Sequence, residues 1–145
     1  MSVKPVSIVL LCRNRWSHTR RCLRALRRFT DPRLYELHVF DNASTDATRA
    51  GLRRLGRGWP ELRVTRNPRN LTFSAAVNRG MRDSGGRLIL WLNNDTVPSA
   101  GWLEGLVAAA DSHPAVAAAG PMTDHMAPPD QKAGIRKRRS GGGTE

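Results

Sequence analysis

The sequence predicts an α/β fold in which a mostly parallel sheet is flanked by helices. Two short apolar runs, VSIVLLC at residues 6–12 and LILWL at residues 88–92, are typical of strands buried on both faces. A segment with helical spacing of apolar residues follows each predicted strand, so strand and helix alternate four times. This alternation favours a parallel sheet, because parallel neighbours need a crossover between them.

The first half of the chain contains two strand–helix pairs. After the strand at residues 6–12, Ser17 is predicted to cap a helix whose apolar side chains recur at helical spacing, opposite a row of arginines. A second strand is predicted at residues 35–40, followed by a polar cluster. Ser44 or Thr45 is expected to cap the short second helix, which glycines and a proline end.

The second half repeats the pattern and then loses it. A third strand is predicted at residues 62–66, and an apolar stripe from Phe73 to Met81 predicts a helix that packs in the core. After the strand at residues 88–92, Pro98 and Ser99 open a fourth helix, and residues 115–119 are predicted as a weak last strand.

The predicted organisation is one domain over residues 1–125, followed by a disordered tail over residues 126–145. The tail contains two adjacent prolines, a basic run and three consecutive glycines, a composition typical of disorder. A chain of 145 residues agrees with a single domain.

Composition excludes several classes of protein. No apolar run approaches the roughly 20 residues of a membrane span, and the N-terminus does not match a signal peptide. Two cysteines are too few for a disulfide framework or a cysteine-based zinc site. We therefore expect a cytoplasmic protein, with association at the inner face of the membrane left open.

The charge is strongly basic and unevenly distributed. The formal net charge is +12, from 24 basic and 12 acidic side chains, and arginine dominates. Such an excess is compatible with nucleic acid, an acidic membrane surface or a phosphorylated small molecule as partner. The sequence contains no zinc-finger pattern, aromatic RNA-binding motif or clear helix-turn-helix.

Polar clusters follow the predicted strands, where ligands bind in an open α/β sheet. The clusters contain amides, arginines and carboxylates, but no serine, histidine and aspartate set of a covalent catalyst. Neither a P-loop nor a G-x-G-x-x-G motif follows the first strand. This combination suits a nucleotide diphosphate better than covalent catalysis.

Four segments in order resemble the family 2 glycosyltransferases, which have the GT-A fold: VSIVLLCRNR, VFDNASTDAT, RNPRNLTFSAAVNRG and LWLNNDTVPSAGWLE. The resemblance covers about residues 5–125 and implies the N-terminal, donor-binding half of such an enzyme. It implies a nucleotide-sugar donor (a UDP-, dTDP- or GDP-sugar) and a glycan or lipid-linked acceptor, with no nucleic acid expected.

The resemblance also implies roles for individual residues. Asp41 matches the position that hydrogen-bonds the nucleotide base or ribose, and Arg13 and Asn14 match the loop that closes over the base. Asn70 and Thr72 match an N-x-G-F segment that lines the same pocket, although the family usually has glycine at position 72.

The segment Asn93-Asn94-Asp95 matches the metal-binding motif of the family. There Asn94 would face the ribose, and Asp95 would hold Mg²⁺ or Mn²⁺ between the two phosphates. Such an ion stabilises the charge that develops on a leaving nucleoside diphosphate. One carboxylate suffices in principle, because substrate phosphates and waters supply the remaining ligands.

No catalytic base can be assigned, so catalytic residues stay unknown. In the family an acidic residue of a second half removes the acceptor proton, and no acidic residue after Asp95 matches such a motif. We expect a truncated or frame-shifted glycosyltransferase without its acceptor half, and whether this chain is an active enzyme stays open. The alternatives are an inactive donor-binding fragment that needs a partner chain and a basic nucleic-acid-binding module.

Overall fold

A computed structural model of the chain describes residues 5–121. The α/β class is confirmed, because strands and helices alternate along these residues. The predicted tail over residues 126–145 and the domain end at residue 125 lie outside the described residues. The elements in chain order are β1 (Val6–Cys12), α1 (Trp16–Phe29), β2 (Tyr35–Asp41), α2 (Thr48–Gly56), β3 (Leu62–Arg66), α3 (Phe73–Arg82), β4 (Leu88–Asn93) and α4 (Trp102–Ala110).

The four strands form one parallel sheet in the order β3–β2–β1–β4. Because crossovers between parallel strands are right-handed, α1 and α2 cover one face of the sheet. The return from β3 to β4 places α3 on the opposite face, where it contacts β1 and β2. All four strands end at the same side of the sheet, which we call the carboxyl edge.

The core is formed by the two central strands and the helices packed on them. Cys22, Leu23 and Leu26 of α1 are buried, as their helical spacing predicts. On the other face α3 approaches the sheet through small residues. A Cβ added at Gly80 would lie 2.4 Å from Cγ1 of Val9, so glycine is required for this close contact.

Two sequence predictions about packing are wrong. Residues 115–119 form no strand and are mostly exposed, because a run of alanines has little apolar surface to bury against a sheet. The stripe on α3 is only partly core: Phe73 is 59% exposed and Met81 is 45% exposed. The helix approaches the sheet through the buried Ala76 and Gly80, and Phe73 meets the sheet at its margin, edge-on against Trp91 of β4 with ring centroids 5.2 Å apart.

The chain divides into two compact units after Gly105, and the sheet with its carboxyl edge belongs to the first. Within the described residues, no helix has the length and apolar character needed to cross a membrane. The polar strand ends lie on the four-stranded parallel sheet of the first unit.

Candidate functional site

The loops after the four strands gather at the carboxyl edge. They follow Cys12 of β1, Asp41 of β2, Arg66 of β3 and Asn93 of β4. These strand ends and loops contain all seven residues predicted to bind substrate, namely Arg13, Asn14, Asp41, Asn70, Thr72, Asn94 and Asp95.

The loop between β1 and α1 is bound to the loop after β2. The backbone N–H of Asn14 donates to Oγ of Ser44 at 2.8 Å, and Oδ1 of Asn14 accepts from the N–H of Thr45 at 2.8 Å. Asn14 and Arg15 both have positive φ, at 55° and 53°. Arg13 is exposed beside them.

Backbone strain in the described residues is concentrated at this edge. Three non-glycine residues there have positive φ: Asn14, Arg15 and, in the loop after β2, Ala43 at 59°. This conformation costs about 1–2 kcal/mol per residue. It persists where surrounding contacts impose it, which is common at ligand-binding sites.

The predicted helix caps are wrong for α1 and α2. The residue before α1 is Arg15, and Ser17 lies within the first turn. The carboxylate of Asp46 takes the capping role for both helices: Oδ2 accepts from the N–H of Trp16 at 3.0 Å, and Oδ1 accepts from the N–H of Thr48 at 2.9 Å. Ser44 and Thr45 bind the neighbouring loop instead.

Asp41 is a buried carboxylate, with both oxygens engaged by the protein. Oδ1 accepts from the N–H of Ser44 at 2.9 Å, and Oδ2 accepts from the guanidinium of Arg66 at 2.5 Å. Arg66 also donates to the carbonyl oxygen of Ser44 at 3.0 Å. The ends of β2 and β3 are thus joined by a charge-assisted network around Asp41.

A cavity of about 300 Å³ opens beside Asp41, on the face covered by α2. Apolar surface dominates its walls, and the charged groups at its rim are mostly guanidinium groups. It is lined by Asp41, Arg49, Leu52, Arg53, Val64 and Arg66.

Asn42 organises the loop between β3 and α3. Its Oδ1 accepts from Nδ2 of Asn67 at 3.0 Å and from the N–H of Leu71 at 2.9 Å. Its Nδ2 donates to Oδ1 of Asn70 at 2.8 Å and to the carbonyl oxygen of Leu71 at 2.9 Å. A single side chain on the β2 loop therefore holds the loop that carries the predicted residues Asn70 and Thr72.

Asn70 and Thr72 have structural partners in this arrangement. Asn70 is exposed apart from its contact with Asn42. Thr72 precedes α3 as its N-cap, and its Oγ1 accepts from the N–H of Ala75 at 3.4 Å. Threonine at the position where the family usually has glycine thus begins the helix.

The loop after β4 carries the predicted ribose and metal residues. Nδ2 of Asn94 donates to Oγ1 of the buried Thr19 at 3.0 Å, which anchors the loop to α1. Asp95 is exposed. The loop therefore presents one solvent-facing carboxylate, on a backbone attached to α1.

Neither cysteine at this edge is suited to nucleophilic chemistry. Burial, together with the charges of Asp41 and Asp46, raises the pKa of Cys12 to about 12. Burial and, to a smaller extent, the charge of Asp95 raise the pKa of Cys22 to about 12. Both thiols stay protonated at neutral pH, and thiolate is the reactive form.

Comparison with known proteins decides the family. The profile for glycosyl transferase family 2 matches residues 7–141, which is most of the chain. The chain belongs to glycosyl transferase family 2. The match confirms the resemblance found in the sequence, and it extends beyond residue 125, where we predicted the domain to end.

The relatives of this family 2 domain are longer than the chain itself. The glycosyltransferase AglE of Haloferax volcanii is 30% identical over 100 residues, which are 68% of this chain and 33% of AglE. S. aureus TarS 1-349, solved in complex with UDP-GlcNAc, gives a TM-score of 0.66 at 21% identity over 74% of this chain and 31% of TarS. The mannosyltransferase PcManGT of Pyrobaculum calidifontis, in complex with GDP-Man and Mn²⁺, gives a TM-score of 0.69 at 20% identity.

PcManGT matches over 77% of this chain and 33% of its own length. The chain therefore spans about a third of the length of these proteins. The solved structures establish the fold of the described domain, and the family match establishes its membership.

Sequence reasoning missed the residues that hold this candidate site together. The contacts between loops are made by Asn42, Asp46, Asn67 and Arg66, yet only their position at or after the ends of strands distinguishes them in sequence. Asn67 is fully buried and accepts from Arg79 at 3.0 Å, so a polar loop residue serves as part of the core.

Proposed function

We propose that this domain binds a nucleotide-diphosphate sugar at the carboxyl edge, with a divalent cation, for transfer of the sugar to a glycan or lipid-linked acceptor. The observation that carries the proposal is the set of strained, mutually bound loops. Arg15 and Ala43, and with them Asn14, have positive φ in the loops that follow strands β1 and β2. Such conformations persist where surrounding contacts impose them, and they cluster at ligand-binding sites.

The cavity beside Asp41 supports a role in holding the nucleoside. Its apolar walls at Leu52 and Val64 suit the faces of a base, and its arginines suit phosphate oxygens. The Asp41 carboxylate accepts two hydrogen bonds from the protein, and a carboxylate has capacity for about four. In this proposal an N–H of the base or a ribose hydroxyl, placed in the cavity that Asp41 lines, uses the remaining capacity.

The oxygen ligands that the protein offers near Asp95 fit a cation that binds together with the diphosphate. The described residues contain no group of three or more histidine, cysteine, aspartate or glutamate side chains able to hold a metal. Asp95 therefore supplies one hard oxygen ligand, and phosphates and waters complete the coordination of Mg²⁺ or Mn²⁺. When bound, the cation would neutralise charge that develops on the leaving nucleoside diphosphate. We expect the metal to bind weakly before the nucleotide arrives.

Glycosyl transfer by the isolated chain is a separate step of the proposal. The carboxylates of Asp41 and Asp95 are assigned to binding in this proposal, and that of Asp46 caps α1 and α2, so the base that deprotonates the acceptor stays unassigned. A donor-binding fragment that acts with a partner chain is the alternative function. The nucleotide titration below does not distinguish the two, because both bind the donor.

Donor binding is tested by calorimetric titration of UDP, dTDP and GDP into the 145-residue chain, with and without Mn²⁺. We expect Asp95→Asn to abolish the gain in affinity that Mn²⁺ provides, because the variant loses the charged ligand. Glu104→Gln is the matched control, since it removes the same charge from an exposed position on α4. Asp41→Asn should weaken binding in the presence and absence of metal.

The proposal fails if none of the nucleotides binds, or if Asp95→Asn and Glu104→Gln respond equally to Mn²⁺. Turnover is measured separately with UDP-GlcNAc and GDP-Man, the donors bound in TarS and PcManGT. Release of UDP or GDP in the presence of an acceptor mixture supports an active enzyme. Tight donor binding without release supports the inactive fragment.

A further inference from the structure

The two helices on one face of the sheet carry a dense array of arginines, which we call the arginine face. On α1 the arginines share one side of the helix, opposite the buried Cys22, Leu23 and Leu26. On α2 they lie opposite the buried Gly51 and Leu52. All are exposed; the arginine face consists of Arg20, Arg21, Arg24, Arg27, Arg28, Arg49, Arg53, Arg54 and Arg57.

Contacts at both ends keep the two helices side by side. At their N-terminal ends, Gly51 packs directly against the indole of Trp16. At their C-terminal ends, the Arg27 guanidinium donates to the carbonyl oxygen of Gly58 at 2.6 Å and lies over the Trp59 ring. The 14 residues of α1 extend about 21 Å, and packed helices lie roughly 8–10 Å apart. The arginine face therefore extends over the length of α1 and the width of two adjacent helices.

Its positive charge is not compensated within the described residues. No acidic residue occurs between residues 13 and 30 or between residues 47 and 60. Two ion pairs of the described residues, Arg33 with Asp31 and Arg66 with Asp41, lie elsewhere. A general preference for arginine would add positive charge everywhere, but it would not remove carboxylates from these two helices.

We propose that the arginine face binds a membrane surface that contains anionic lipids. Clusters of basic side chains on a helical face are the pattern that anionic headgroups attract. A flat membrane can meet both rows of arginines at once. Both helices are packed along the sheet, so neither projects as a recognition helix would into a nucleic-acid groove.

An aromatic side chain at the rim supports the same partner. Phe29 ends α1, is 37% exposed, and has the Arg28 guanidinium over its ring at 5.1 Å. An apolar ring beside cationic groups suits the boundary between headgroups and acyl chains. The inference goes beyond donor binding, and its test uses Arg20 and Arg24, which do not line the cavity beside Asp41, although Arg49 and Arg53 belong to both surfaces. Binding of the arginine face to a membrane would bring the carboxyl edge close to a lipid-linked acceptor, because α1 and α2 both begin at that edge.

The test is co-sedimentation of the full chain with vesicles of phosphatidylcholine, with and without phosphatidylglycerol. We expect binding only to the anionic vesicles, weakened by salt. Each arginine at such a surface contributes about fivefold in affinity, so Arg20→Gln with Arg24→Gln should weaken binding about 30-fold. The control is Arg63→Gln with Arg82→Gln, which removes equal charge from exposed positions outside the arginine face.

A second comparison distinguishes the contribution of the arginine face to membrane affinity from that of the basic residues near the C-terminus. The triple change Lys137→Gln, Arg138→Gln and Arg139→Gln should weaken binding less than the change on α1. The proposal is overturned if the control or this triple variant loses as much affinity as the α1 variant, or if neutral vesicles bind equally well. Binding to a duplex oligonucleotide but not to anionic vesicles would also overturn it. Urea unfolding of each variant confirms that the exposed substitutions leave the fold intact.

Discussion

Arg66 at the end of β3 forms a salt bridge of 2.5 Å with Asp41 at the end of β2. The Asp41 side chain is 2% exposed and that of Arg66 is 36% exposed, so a buried anion is matched by a partly solvated cation. Arg66 also binds the carbonyl oxygen of Ser44, whose N–H donates to Asp41. The pair therefore shapes the β2 loop as well as compensating the charge.

Replacing Arg66 should destabilise the fold and the candidate site together. We expect Arg66→Met to lower the free energy of unfolding by about 3 kcal/mol, because it leaves the buried Asp41 carboxylate without its partner. Arg66→Lys should recover part of this loss, since it restores the charge without the second hydrogen bond. Urea denaturation measures the effect. Arg63→Met, on the same strand with an exposed side chain, should change stability by less than about 0.5 kcal/mol. Equal losses at the two positions would contradict the assigned role.

Asn42 should be a critical polar residue although it makes no ion pair. Asn42→Ala removes four hydrogen bonds and leaves the buried Asn67 side chain without its acceptor. We expect a loss of about 3 kcal/mol in the free energy of unfolding. Hydrogen exchange of the Leu71 amide should accelerate, since its acceptor is Oδ1 of Asn42. Asn78→Ala, at an exposed position on α3, is the control. Unchanged exchange at Leu71 in Asn42→Ala would argue against this organisation of the loop.

The contact between α1 and α2 predicts opposite outcomes at two glycines of the same helix. A Cβ at Gly51 would lie 2.2 Å from the Trp16 indole, whereas nothing lies within 4 Å of a Cβ at Gly56. Gly51→Ala should therefore cost about 1–3 kcal/mol through overpacking. Gly56→Ala should be neutral or stabilising by up to about 1 kcal/mol, because alanine favours helix. Thermal unfolding of both variants measures the two changes in stability. A Gly51→Ala variant as stable as Gly56→Ala would contradict the close contact between Gly51 and the Trp16 indole.

Stability should fall as the pH is lowered from about 6.5 to about 4, through His38. Burial, with the charge of Arg63, lowers the pKa of this residue from 6.5 to about 4. Between these values the unfolded chain binds a proton that the folded chain excludes, so protonation favours unfolding. The contribution is complete above pH 6.5 and amounts to about 3 kcal/mol at most. Urea unfolding over this range should show a shallower pH dependence in His38→Gln.

His18→Gln removes an exposed histidine of α1 and should keep the pH dependence of the parent chain. Glu36, whose pKa is lowered chiefly by its hydrogen bond with Ser7, contributes only as the pH falls below about 4.5. Above pH 4.5, the loss of stability on acidification is therefore expected from His38 and not from Glu36. An unchanged slope in His38→Gln above pH 4.5 would exclude His38 as its cause.

Strands were more predictable than helix starts in this chain. The bounds of β1 and β3 agree with the prediction at both ends, because apolar and alternating patterns are carried by the strands themselves. The starts of α1 and α2 were predicted wrongly, since Asp46 supplies the oxygens for both from one loop. A local cap signal such as Ser17 cannot reveal an acceptor 29 residues away, whereas the cap of α3 by Thr72 is local.

The amino-acid sequence by itself determined the α/β class, the gathering of polar loops at one edge and the resemblance to family 2. These follow from periodicity and from motif order, which are properties of short segments read in sequence. The tertiary structure alone decided which side chains hold the site. Asn42, Arg66 and Asp46 act across 25 to 30 residues of chain, because parallel strands bring distant loops into hydrogen-bond range.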